Sequence, residues 1–88
     1  MEDMEPKALP LTEAPFNVPL RVVDILGGHG ARRRLLSMGF HRGDVIELDS
    51  QAILNGPLVV RNVETDTKIA LGRGVAQRIL VEVTDERR

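Results

Sequence analysis

Two histidines, His29 and His41, are the side chains of this 88-residue chain best suited to holding a metal or moving a proton near neutral pH. With Asp44 close behind His41, they could supply three ligands for a transition ion. The competing reading is two turn histidines in water, and it is the stronger one, because the segment between them contains no acid. No metal site and no cofactor is expected. Cysteine is absent, which excludes disulfides, thiolate metal sites and cysteine nucleophiles and suits a reducing compartment. Ser37 and Ser50 lie in no nucleophile motif, and Glu47 and Asp49 alternate along one stretch as solubilising charges. Neither a nucleophile with its base nor an acid with its partner base can be assembled. The chain is expected to be non-enzymatic.

Charge is more informative than the net value of −1 suggests. Residues 30 to 43 hold Arg32, Arg33, Arg34 and Arg42 with no acid, while residues 44 to 66 hold five acids against Arg61. Such a basic patch can meet phosphates, acidic protein surfaces or lipid headgroups, or can simply keep one face in water. The run Gly27-Gly28-His29-Gly30 ahead of it superficially resembles a phosphate loop. It lacks the lysine and the glycine spacing of one, so turning is the better account of its glycines. Nucleic acid is a rival partner for the arginines. The slightly acidic balance and the presence of only two aromatics, Phe16 and Phe40, leave no platform for stacking bases and lower that reading.

The element that must position the arginines is a short helix over 31–38, entered through glycines and ended at Gly39 in a left-handed cap. Phe40 follows the cap and should fold back onto the last helical turn. At about 100° per residue, Ala31, Leu35 and Met38 share a face that should be buried, with Arg33 and Ser37 opposite. Leu36 falls off that face among the arginines. It is either core against a second wall or an exposed contact for a partner.

The rest of the chain reads as short strands and turns. Residues 1–9 form a tail without periodicity, expected to be flexible, and residues 85–88 a frayed end. Strands are expected at 20–26, 44–49, 58–63, 68–71 and 78–83, with Ile46 and Leu48 inward and Ile79, Val81 and Val83 sharing a face. Asn55-Gly56-Pro57 marks a turn, and Val75-Ala76-Gln77 has room for one 3₁₀ turn. A chain this small has a thin core, and with two aromatics and no Trp or Tyr that core must be aliphatic. Nothing resembles a secretory signal or a membrane span, so a soluble, cytoplasmic protein is expected. The fold expected is mostly β: a small five-stranded SH3-like barrel over residues 10–84, with one short helix inserted after the first strand.

A specific pattern runs through these elements. Pro10-Leu11-Thr12-Glu13, Val22-Val23-Asp24-Ile25, Gly27-Gly28, Arg33-Arg34-Leu35-Leu36-Ser37-Met38-Gly39-Phe40, Gly43, Asn55-Gly56-Pro57-Leu58, Ile69-Ala70-Leu71, Ala76 and Ile79-Leu80-Val81 occur in that order. The pattern, spanning about residues 10 to 83, closely resembles the FeoA family of small bacterial ferrous iron transport proteins. The resemblance implies an SH3-like barrel with the helix after the first strand. It also implies an accessory role to FeoB, a membrane transporter whose cytosolic portion binds GTP. Similar domains end iron-dependent repressors, but this chain looks like the standalone type. It departs from the family pattern at Asn17-Val18-Pro19, where glycine is usual, and at Arg42, where proline is usual. The partner-binding residues expected are Arg32, Arg33 and Leu36 on the exposed side of the helix, with Arg42 nearby. The alternatives from other classes are a small-barrel RNA-binding domain and a metal-sensing domain.

Overall fold

A computed structural model of the protein describes residues 8–49 and 56–84. Alternating apolar residues set the strands: β2 (Leu20–Ile25), β3 (Val45–Leu48), β4 (Leu58–Asn62), β5 (Lys68–Leu71) and β6 (Ile79–Val83). A further two-residue strand, β1 (Leu9–Pro10), precedes a 3₁₀ turn at Leu11–Glu13. Helix α1 (His29–Ser37) lies between β2 and β3, and α2 (Arg73–Ala76) between β5 and β6. All pairings are antiparallel, in the order β1-β6-β2-β3-β4-β5. The expectation of a mostly β fold therefore holds, and the helix follows β2, the strand that was expected to be the first.

Three expectations are corrected. The described residues form six strands, not five, because Leu9 and Pro10 pair with Val81 and Leu80. A two-residue strand carries no alternation to detect, and its first member falls inside the expected tail. Second, the sheet is open, since β1 and β5 do not pair with each other. Third, the single expected helix is joined by α2, a four-residue α-helical turn where a 3₁₀ turn was expected over 75–77. Residues 1–7 and 85–88, and Asn55 of the expected 55–57 turn, lie outside the described residues.

The sheet wraps an aliphatic core. Leu20, Val22, Ile46, Leu48, Val60, Ile79 and Val81 are each 0–1 % exposed, and Leu11, Ala14, Ile25, Leu35, Phe40, Leu58, Leu71 and Ala76 complete the cluster. Ile46 and Leu48 point inward as their spacing predicts, and so do Ile79 and Val81. Val83 does not: it lies beyond the core at the end of β6, and is half exposed.

On the outer face, side chains of opposite charge meet across the strands. Glu47 and Arg61 are directly opposite in β3 and β4, and their side chains meet at 3.0 Å. Arg61 also reaches Asp66 at 3.0 Å, while Lys68 lies 3.5 Å from Asp49. The hydrogen bond to Glu47, then that to Asp66, holds the Arg61 guanidinium above its ordinary pKa. The acids expected only to solubilise therefore form an ordered network with these cations.

Candidate partner-binding groove

Helix α1 is held by its ends. At its entry Gly27 has φ +112°, and a Cβ there would lie 3.2 Å from the Ala31 Cβ. A side chain at this position would be strained twice, by backbone angle and by contact. At its exit Met38 is the C-cap, the Gly39 N–H donates to the Leu36 carbonyl, and the Phe40 N–H donates to the Leu35 carbonyl, each at 3.0 Å. With Gly39 at φ +93°, this is the Schellman arrangement. Its two apolar members, Leu35 and Phe40, are both buried in the core cluster.

That anchoring fixes which side of α1 faces water. Leu35 is buried, Ala31 is partly so, and Met38 is 37 % exposed. The expectation that Met38 shares the buried face is corrected: Met38 is the C-cap, at the end of the helix and beyond its one fully buried residue, Leu35. Leu36, for which two readings were open, is 48 % exposed.

Three of the four residues expected to bind a partner line one shallow groove. Arg32, Leu36 and Arg42 share it with Asp24 and Ile25 of β2, enclosing about 120 Å³. Arg33 is exposed on α1 but does not line the groove. Leu36 and Ile25 supply apolar walls, Arg32 and Arg42 positive charge. An Arg32 nitrogen lies 3.9 Å from an Asp24 oxygen, a long and exposed ion pair that adds little stability. Arg42 has no ion-pair partner among the described residues.

Asp24 and Ile25 were not picked out as site residues in the sequence. The register between β2 and β6 shifts between Val22 and Asp24, so that Ile25 rather than Asp24 continues the buried row. The bulge leaves Asp24 partly exposed, its carboxylate accepting the Ile25 N–H at 2.8 Å. Two adjacent valines conceal such a bulge, since either could be the inward one.

The histidines do not converge on a metal site. His29 is exposed in the first turn of α1, whereas His41 faces Asp44, its Nδ1 3.3 Å from Oδ2. The same carboxylate oxygen accepts the His41 backbone N–H at 2.9 Å, so the contact closes the turn into β3. No group of three metal-ligating side chains occurs among the described residues. None of their helices is long and apolar enough to cross a membrane.

The chain is similar to several known proteins. It is 36 % identical over 73 residues to a protein of Methanocaldococcus jannaschii that carries the name Fe(2+) transport protein A, covering 83 % of this chain and 84 % of that one. The crystal structure of an iron uptake regulatory protein (FeoA) superposes with a TM-score of 0.74 at 34 % identity, over 89 % of this chain and 99 % of the other. A manganese-dependent transcriptional repressor reaches a TM-score of 0.78 at 20 % identity over 92 % of this chain but only 44 % of its own, a likeness of fold alone. The FeoA domain model matches residues 9–83, and with it the sequence pattern, the sheet order and the capped helix have one account: this chain belongs to the FeoA family.

Proposed function

We propose that this protein is a non-enzymatic accessory of ferrous iron transport that docks on the cytosolic GTP-binding domain of a FeoB-like transporter and modulates its activity or assembly. Family membership and the transport names of its relatives support the setting. The observation that carries the docking reading is Leu36, half exposed beside a groove that also presents Arg32 and Arg42. Arginine is enriched in binding hot spots, and here it flanks an apolar side chain that contact would bury; the charges would orient the encounter and the burial slow dissociation.

The test is an NMR titration of the labelled full chain with the GTP-binding domain of the cognate transporter, loaded in turn with GDP and a GTP analogue. Shifts clustered on residues 24–42 are expected, lost in Leu36→Asp while that variant keeps a dispersed spectrum. Shifts confined to another face, or full binding by the folded variant, would overturn the site. No binding in either nucleotide state would overturn the partner.

A further inference from the structure

We propose that β5 is a self-complementary edge through which two copies of this chain join their sheets, in antiparallel register centred on Ile69. The polarity of that edge follows from its partner strand. The Asn62 N–H donates to the Thr67 carbonyl at 2.8 Å, so the alternation of an antiparallel ladder makes Val60 with Ile69 and Leu58 with Leu71 the bonded pairs. The other side of β4 agrees, since the Asp49 N–H donates to the Val59 carbonyl at 2.8 Å and Val59 is thereby committed to β3. The N–H and C=O groups of Lys68 and Ala70 are left pointing away from the sheet, and β5 ends the strand order of the described residues.

The opposite edge is blunted. It consists of Leu9 and Pro10, and proline has no N–H to offer. Edge β5 instead borders a groove of about 150 Å³ lined by Met38, Phe40, Thr67 and Ile69. Ile69 is only partly buried although it packs against the core, and Met38 is 37 % exposed. Apolar side chains thus stand beside backbone groups that have no partner among the described residues.

Several partners could add a strand here, and the charges favour a second copy. A two-fold axis at Ile69 sets Lys68 of each copy opposite the small Ala70 of the other, so the lysines do not face each other directly. Each Lys68 is already neutralised by its own Asp49 at 3.5 Å. The same register brings Asp66 of one copy level with Gly72 of the other, next to Arg73, and repeats that opposite-charge approach at both ends. Ile69 meets Ile69 in the unbonded central pair, with Met38 of each copy alongside, and the two small grooves close on each other.

Because the chain has no cysteine, the geometry can be read directly. An unbonded antiparallel pair holds its Cα atoms about 4.5 Å apart, inside the span of about 4.4 to 6.8 Å that a disulfide bridges. Ile69→Cys should therefore oxidise to a covalent dimer, whereas Val83→Cys, at an exposed apolar site on β6, should not. Sedimentation of the full chain up to about 1 mM, where weak specific association is populated, should show a monomer–dimer equilibrium. Ala70→Pro should abolish it while retaining the native far-ultraviolet spectrum, since it removes only an outward N–H. A chain that stays monomeric at the highest concentration, or a dimer that survives Ala70→Pro, would overturn the proposal. Equal cross-linking of both cysteine variants would do so too.

Discussion

Leu35 and Leu36 are neighbours in sequence with opposite fates, and this is where the structure is most open to test. Leu35 is 1 % exposed and Leu36 is 48 % exposed. Leu35→Ala should cost about 2 to 4 kcal/mol, the range of large-to-small core substitutions. Leu36→Asp should cost no more than about 1 kcal/mol, from the acid in the last helical turn. Urea denaturation of both variants checks the pair, and comparable losses would mean that α1 is rotated from its described orientation. A third residue has a backbone role. Gly39→Ala places a side chain at φ +93°, and a loss of about 1 to 2 kcal/mol is expected from the left-handed conformation alone. No contact contributes to that loss, because a Cβ at Gly39 meets open space.

At the scale of elements, what was legible in the sequence is what local chemistry dictates. Gly39 followed by Phe40 announces the helix end, and the alternation at Val45–Leu48 announces a strand and its inward face. What was hidden depends on pairing with distant residues. Pro10 biases itself and Leu9 towards extended backbone, but nothing local marks the pair as a strand, because the partner that makes it one is β6, some seventy residues on. The bulge that brings Asp24 to the groove is hidden in the same way, since it is a mismatch between β2 and β6 rather than a property of either. Of the candidate site, Arg32, Leu36 and Arg42 could be read from the helix and its following turn, but the wall opposite them could not. The turn after β4 illustrates a local device of the other kind. The Asn62 side-chain oxygen accepts the N–H groups of Glu64 and Thr65 at 2.9 and 3.2 Å, and Asp66 takes φ +63°. Asn62→Ala should cost about 1 kcal/mol, the usual worth of such a backbone-satisfying side chain. Thermal denaturation reports it, and an unchanged midpoint would show that the turn holds without it.

For the whole molecule, the layout separates a rigid sheet from a lightly attached helix. Strand β6 lies between β1 and β2, while α1 itself contributes only Leu35 to the fully buried core. Hydrogen exchange should accordingly be slowest at the paired amides of β2 and β6 and faster throughout α1, with opening of the helix before global unfolding. Equal protection would contradict that division. Arg32, Arg33, Arg34 and Arg42 form a basic cluster on and just after α1, so association of an acidic partner with the groove should slow as ionic strength rises. The position of β6 also bears on how the chain comes into being. Its sheet partners include Leu9 and Pro10, near the beginning of the chain, yet β6 is synthesised after every other strand. The pairings from β2 to β5 need only one another, but β1 has no neighbour and β2 lacks one until β6 joins, so completing the sheet is a long-range step between strands far apart in the chain.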